Sequence, residues 1–181
     1  MSGAGEQVYL AGYFPKPAAV PAGWPAAARV DEICSVSTCL NAPPSGWIRR
    51  WLHNELGFFN TRADARAVGP GLPLFAYRLW PFFFVEGRLV EQPVLQLAVE
   101  PLSADFVSLG FDAVSRSTST FFECSPLSCN IMALEIAVNR FCLMNSLPEA
   151  AALAERFSRG NQEPGPYHVL EVLREQPPVP G

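Results

Sequence analysis

The chain has 181 residues, of which 49% are hydrophobic and 17% are charged. This composition is typical of a packed globular protein and argues against an intrinsically disordered one. The length favours one domain that spans residues 1–181. The formal net charge of −4 provides no basic surface for a phosphate backbone, so we expect no nucleic-acid partner.

The apolar segments indicate neither export nor membrane insertion. The first ten residues, MSGAGEQVYL, lack the basic region and the apolar core of a signal peptide. The longest apolar run, Leu79–Val85, is much shorter than the roughly 20 residues that a membrane helix needs. The five cysteines are an odd number, which favours free thiols over a disulfide framework. We therefore expect a cytoplasmic protein without a membrane span.

The first part of the chain predicts one strand, one long loop and two helices. Gln7–Phe14 is a plausible strand, and the proline-rich segment 15–29, which contains Trp24, suits neither a helix nor a central strand. A loop of this length either serves in binding or packs on its own core. Ser45–Gly57 predicts a helix with a serine N-cap, and Thr61–Gly69 predicts a shorter helix that its first residue caps.

The second part predicts most of the sheet and two further helices. Apolar alternation predicts strands within Leu74–Glu100, including the run Val94–Glu100, and at Phe111–Ser117 and Pro166–Arg174. Turn residues predict a turn at Glu86-Gly87 and a helical turn at Leu102–Gly110. Helices are predicted at Pro126–Met144 and Ser146–Gly160, and a flexible tail at 175–181. Because strands and helices follow no regular βαβ rhythm, we predict an α+β fold with a mainly antiparallel sheet and about three to four helices.

Two segments carry cysteine pairs at the same spacing: Cys34 and Cys39 in CSVSTC, and Cys124 and Cys129 in CSPLSC. Structural zinc sites draw their four ligands from such pairs, which are normally two to four residues apart. A gap of four is at the limit of that range, and Pro126 with the expected helix start makes joint chelation by the second pair awkward. Cysteines are also common as small buried side chains. We favour this last interpretation and predict neither a metal nor a cofactor.

Cys129 is the best candidate for a reactive thiol. Ser125 is a suitable N-cap and Pro126 a suitable first helical residue, so Cys129 falls in the opening turn, where the helix dipole favours a thiolate. A nucleophilic cysteine normally needs a histidine base, and the chain offers His53 and His168. Ordinary roles also fit both histidines, since His53 falls on the polar face of its helix and His168 lies in a strand. Together with Cys129 they form our candidate catalytic set.

The chain lacks the common nucleotide-binding and catalytic motifs GxxxxGK[ST], GxGxxG, GxSxG and HExxH. Aromatic and arginine side chains often anchor protein interfaces, so Trp24, Arg49, Arg50 and Arg116 are our candidate binding residues. We therefore expect an accessory, regulatory or immunity-type protein that binds a protein partner, and a homodimer also fits this profile. The alternative is a cysteine-dependent enzyme that uses Cys129.

Overall fold

The computed structural model describes residues 8–37, 39–40, 53–116, 122, 124–160 and 165–177. It confirms an α+β protein with an antiparallel sheet. The strands are β1 (Tyr9–Pro15), β2 (Leu74–Val85), β3 (Arg88–Glu91), β4 (Phe106–Ser115) and β5 (Tyr167–Glu175). The α-helices within the described residues are α1 (Arg62–Val68), α2 (Pro126–Cys129) and α3 (Leu147–Arg159), and short 3-10 turns cover Ala26–Ala28 and Met132–Leu134.

The sheet has the strand order β1-β2-β5-β4, and β3 pairs with the last residues of β2. All of these pairings are antiparallel. Both faces of the sheet are covered, as the central strand β5 shows: Leu170 and Val172 belong to one apolar core, and Tyr167 and Val169 to the other. Burial on both faces explains why most residues of this strand are apolar rather than strictly alternating with polar ones.

The hairpin between β2 and β3 closes through the predicted turn at Glu86 and Gly87. These residues have φ angles of 50° and 75°, the left-handed conformation that a two-residue type I′ turn requires at both positions. Val85 pairs with Arg88 directly across the turn. The prediction of a hairpin here is confirmed.

Two glycines let other segments approach the sheet closely. Gly12 in β1 and Gly110 in β4 both have a φ of 138°, and both lie where the strand register shifts. A Cβ atom on Gly12 would lie 2.7 Å from the Phe59 carbonyl oxygen, and one on Gly110 would lie 2.5 Å from the Met144 carbonyl oxygen. These bulges therefore allow the loops that contain Phe59 and Met144 to pack against the strands.

Side-chain caps determine where two of the helices begin, as predicted. At α1 the Thr61 side chain accepts a hydrogen bond from the Asp64 amide at 3.1 Å. At α3 a reciprocal capping box joins Ser146 and Glu149, because each side chain accepts a hydrogen bond from the backbone amide of the other residue. Both helices therefore form at the positions that their capping residues indicate.

The predicted helix at Pro126–Met144 is wrong, because α2 ends at Cys129. Ile131 and Cys142 adopt left-handed backbone conformations that a helix cannot contain. The Asn139 side chain accepts from two backbone amides of its own loop and donates to the Leu109 carbonyl of β4 at 2.8 Å. Met144 also pairs through its backbone with β4. Side-chain and sheet-edge hydrogen bonds thus replace the helical ones.

Other predicted elements differ in detail. Val94–Glu100 is not a strand, although alternate residues of this segment (Leu95, Leu97 and Val99) do pack on the core. The predicted helical turn at Leu102–Gly110 is wrong, because β4 already starts at Phe106 and pairs with β5.

The last two differences lie beside segments outside the described residues. The predicted helix Ser45–Gly57 falls mostly outside them, and its described end, 53–57, forms a bridge and a turn. The predicted tail begins too early, since β5 runs to Glu175 and the Gln176 amide donates to the Asp105 carbonyl.

Candidate metal centre

Three of the five cysteines come together at one place. The Sγ atoms of Cys39, Cys124 and Cys129 all lie within 4.8 Å of one another. Cys39 is exposed, Cys129 is half-buried and Cys124 is buried, so the group lies at the edge of the protein interior. Thiolates on a tetrahedral zinc ion, with Zn–S bonds of about 2.3 Å, are about 3.8 Å apart. The three sulfur atoms therefore need little movement to share one ion.

Each cysteine is positioned by a different part of the fold. Cys124 forms an isolated bridge with Ser115 at the end of β4, and its carbonyl accepts from the Ser115 amide at 2.8 Å. Cys129 is the last residue of α2, and its amide donates to the Ser125 carbonyl at 2.8 Å. Cys39 follows the loop 33–37, and its amide donates to the Ser37 hydroxyl at 3.1 Å. The cluster is thus a product of tertiary structure.

Serine side chains join the two cysteine-bearing segments. The Ser37 Oγ and the Cys129 Sγ are hydrogen bonded at 3.0 Å. One layer deeper, the hydroxyls of Ser35 and Ser128 are hydrogen bonded at 2.8 Å, and both residues are buried. These contacts keep the loop 33–37 against α2, and Cys39 therefore stays beside Cys129.

A buried lysine holds the backbone of the first segment. Lys16 follows the end of β1 and is 0% exposed. Its ammonium group donates to the carbonyl oxygens of Ser35 and Ser37, the latter at 3.2 Å. Burial lowers the pKa of Lys16 to about 8, and the neighbouring acidic groups of Cys34, Asp112 and Cys129 oppose this change.

A buried aspartate contacts both segments from the other side. Asp112 lies in β4 and is 0% exposed. Its carboxylate accepts from the Val36 amide at 2.7 Å and from the Ser125 hydroxyl at 2.6 Å. Burial raises the pKa of Asp112 to about 6, whereas these two hydrogen bonds and the charge of Lys16 lower it.

The thiol of Cys129 differs in character from the cysteines outside the cluster. Hydrogen bonding to Cys124, supported by Ser37 and opposed by burial, holds the pKa of Cys129 well below its usual range. Burial raises the pKa of Cys39, its neighbour in the cluster. It also raises the pKa of Cys34 and Cys142 to about 12. A thiolate is therefore favoured at Cys129 and strongly disfavoured at the two cysteines outside the cluster.

The two candidate histidines have other surroundings. His168 is buried in β5, where its ring lies 5.0 Å from the Phe83 ring and 5.4 Å from the Phe122 ring. Burial, with the nearby charge of Arg116, lowers the pKa of His168 to about 3. The His53 Nδ1 lies 3.4 Å from the carbonyl of its neighbour in the chain. Within the described part of the chain, neither histidine belongs to the group formed by the three sulfur atoms.

The candidate binding residues make separate contacts. The Arg116 guanidinium lies 5.6 Å from the centre of the Phe122 ring and donates to the Glu55 carbonyl at 3.0 Å. Trp24 is half-buried and packs against the second apolar core. Arg49 and Arg50 lie outside the described residues.

Sequence analysis identified the cysteines but not the residues that support them. Lys16, Ser37 and Asp112 were not among the candidates. One signal was available, because Lys16 is the single lysine of the chain and stands between two prolines directly after a predicted strand. Asp112 gave no comparable signal, since an aspartate near the start of a predicted strand is an ordinary feature.

Comparison with protein-family models, with curated proteins and with solved structures found no match for this chain. In the described residues, none of the helices has both the length and the apolar character needed to cross a bilayer.

Proposed function

We propose that this protein binds a thiophilic divalent metal ion, with zinc as the best fit, through Cys39, Cys124 and Cys129. The observation that carries the proposal is the convergence of the three Sγ atoms within 4.8 Å. This proposal departs from the expectation of no metal that the sequence favoured. That expectation rested on the four-residue gap within each pair and on the helix start at Pro126, whereas the structure brings one member of the first pair beside both members of the second.

The chemistry of the cluster suits zinc. Zinc accepts thiolate ligands in a tetrahedron, and soft sulfur ligands select zinc, copper(I) or iron–sulfur clusters over magnesium and calcium. The described residues supply three of the four ligands, so water, a substrate or a donor outside the described residues completes the tetrahedron. Metal binding requires deprotonated thiols, which the hydrogen bonds to Cys129 already favour.

The alternative predicted from the sequence, a cysteine-dependent enzyme that uses Cys129, retains one supporting observation. The Ser37 hydrogen bond and the neighbouring thiols favour the thiolate form of Cys129, and a thiolate is the nucleophilic form. The groups that lower the pKa of this thiol most are Cys124, Ser37 and Cys39, and burial opposes them. Among the described residues no histidine belongs to the group around Cys129, so metal binding is the better-supported function.

Two further expectations stay predictions. Binding of a protein partner, or formation of a homodimer, depends on surfaces that no contact in the structure tests. A cytoplasmic location fits the proposal, because a reducing compartment keeps metal-binding thiols free of disulfides.

Elemental analysis of the purified protein tests the proposal. Protein prepared with a reductant and without chelator, or reloaded with zinc and dialysed, should contain about one zinc ion per chain. Cys39→Ala, Cys124→Ala and Cys129→Ala should each lower this content strongly. Cys34→Ala and Cys142→Ala are matched controls, because they remove thiols outside the cluster, and both should retain the metal. Wild-type protein without stoichiometric zinc after reloading would overturn the proposal, and so would equal losses in all five variants.

A further inference from the structure

Lys16 and Asp112 are two fully buried residues of opposite charge. Lys16 bonds to the first cysteine-bearing segment, and Asp112 bonds to both segments. Lys16 directly follows β1 and Asp112 lies in β4, and these two strands are at opposite ends of the four-strand order. A role for these residues at the metal site rests on the proposed function, but the arrangement of cysteines that they produce can also be measured without metal.

The first segment is held on two sides. The Lys16 ammonium group donates to the carbonyl oxygens of Ser35 and Ser37, while the Asp112 carboxylate accepts from the Val36 amide at 2.7 Å. Three consecutive residues thus have a backbone group bonded to a buried charge. These bonds fix the position of Ser37, whose hydroxyl is hydrogen bonded to both the Cys39 amide and the Cys129 sulfur.

The second segment is held by the same aspartate. The other Asp112 oxygen accepts from the hydroxyl of Ser125, at 2.6 Å. Ser125 is the N-cap residue of α2, and its carbonyl oxygen accepts a hydrogen bond from the Cys129 amide. Its hydroxyl, however, makes no capping hydrogen bond to the helix. The hydroxyl that would ordinarily cap the helix is instead committed to Asp112. One carboxylate therefore connects the loop before Cys39 with the helix that carries Cys129.

A contribution to the free energy of unfolding does not by itself explain why these two charged residues are buried. Burial of a charge is costly, and replacement of buried charged groups by apolar residues of similar volume is often neutral or stabilising. A positioning role gives a better account, because the hydrogen bonds of both residues end on the segments that carry Cys39 and Cys129.

We propose that Lys16 and Asp112 are positioning residues, which hold Cys39 and Cys129 beside Cys124 before the metal binds. Residues in this position around a metal centre commonly change its affinity by about 10- to 100-fold. A preformed site should bind metal more tightly than one that must first be assembled, because the ordering of the loop has already taken place.

The first test measures metal affinity. Cobalt(II) and zinc are titrated against a competing chelator into the wild type, Lys16→Met, Asp112→Leu and the double variant that combines both. We expect about 10- to 100-fold weaker binding in each variant, with a changed thiolate-to-cobalt absorption band. Asp112→Asn retains an oxygen acceptor for the Val36 amide, so it should recover part of the loss. Ser146→Ala removes the N-cap of α3, whose hydrogen bonds join Ser146 to Glu149 and not to either cysteine-bearing segment. It therefore controls for general destabilisation and should bind as the wild type does.

The second test needs no metal. A short bifunctional thiol reagent, applied to reduced and chelator-treated protein, should link Cys39 to Cys129 in the wild type, and peptide mapping should show much less of this link in the variants. If single variants fail to fold, the double variant carries the test, because it leaves neither charge alone in the core.

The outcomes separate the two proposals. A folded double variant with wild-type cobalt affinity, spectrum and cross-linking would overturn the positioning role and leave the metal site intact. Wild-type protein that forms the link but binds no metal would overturn the metal site and support the positioning role. A wild type that yields neither the link nor metal binding would overturn both.

Discussion

The substitution Asp112→Asn should change how the free energy of unfolding depends on pH, because it removes a buried carboxyl group that titrates. Burial raises the pKa of Asp112 from 3.8 to about 6, despite the hydrogen bonds from Ser125 and Val36. Between these two pH values the unfolded chain releases a proton that the folded chain still holds. The folded state therefore loses stability as the pH rises through this window.

The magnitude follows from the two pKa values. Each pKa unit corresponds to about 1.36 kcal/mol, so the change from 3.8 to about 6 is worth about 3 kcal/mol. The contribution of protonated Asp112 is complete below pH 3.8 and is lost as the pH passes 6. Because asparagine does not titrate, the free energy of unfolding of the wild type minus that of Asp112→Asn should fall by about 3 kcal/mol between pH 3 and pH 7.

Urea unfolding at a series of pH values, with reductant and chelator present, measures this difference. The subtraction removes the contributions of the other carboxyl groups, which both proteins share. Asp105→Asn is a matched control of opposite sign, because a hydrogen bond from Ser103 lowers the pKa of that carboxyl group. The stability that Asp105 contributes should be present at neutral pH and lost on acidification. A wild-type minus Asp112→Asn difference that is flat from pH 3 to pH 7 would refute the reasoning, since it would mean that burial does not raise the pKa of Asp112.

Two further predictions concern the thiols and the β1 bulge. A limiting alkylating reagent at neutral pH, applied to reduced and metal-free protein, should label Cys129 before Cys34 and Cys142, because burial raises the pKa of the latter two to about 12; equal labelling in peptide mapping would contradict this. Gly12→Ala should lower the free energy of unfolding by about 2–5 kcal/mol, because a Cβ there would lie 2.7 Å from the Phe59 carbonyl oxygen. Gly23 is a matched control, because its φ is 85° but a Cβ there would have no contact within 4 Å. Gly23→Ala should therefore lower the free energy of unfolding by only about 1–2 kcal/mol. Similar decreases for both variants in urea unfolding would argue against the close packing at Gly12.

The parts of the fold that were predicted correctly depend on local signals. The capping residues Thr61 and Ser146 mark the starts of α1 and α3, and Glu86-Gly87 marks the hairpin turn. In each case the residues that define the structure are neighbours in the sequence. A hydrogen bond between residues three positions apart, or a left-handed turn of two residues, needs no knowledge of the rest of the protein.

The parts that were predicted incorrectly are determined by distant contacts. The apolar stripe after Cys129 has helical spacing, yet Asn139 and Met144 bond to β4 and remove the backbone groups that a helix would use. The run Val94–Glu100 alternates as a strand does, and alternate side chains do pack on the core. It has no ladder partner among the described strands. In Val94–Glu100 the periodicity correctly indicated which side chains pack on the core, but after Cys129 it did not, since Ile131 and Leu134 are exposed. In neither segment does periodicity reveal which partner the backbone bonds to.

The candidate site was predictable in its components but not in its assembly. The spacing of Cys34, Cys39, Cys124 and Cys129 allows a zinc site with all four, although small buried side chains are the interpretation that the sequence favours. The structure joins three of them, and Cys34 is instead buried with its thiol 3.7 Å from the Glu32 carboxylate. Which member of a pair faces its counterpart depends on how the loop 33–37 lies against α2, and that is set by Lys16 and Asp112.

Lys16, the single lysine of the chain, is also one of the buried residues that hold the segment before Cys39. Twelve arginines accompany it, and every described arginine keeps part of its side chain in solvent, whereas Lys16 is fully buried. A planar guanidinium presents five donors in a fixed fork, while an ammonium group is compact and has three donors that rotate. Two carbonyl oxygens from one loop, with a carboxylate and a thiol nearby, suit the smaller group. The compact ammonium group of Lys16 therefore fits this buried position better than a guanidinium would.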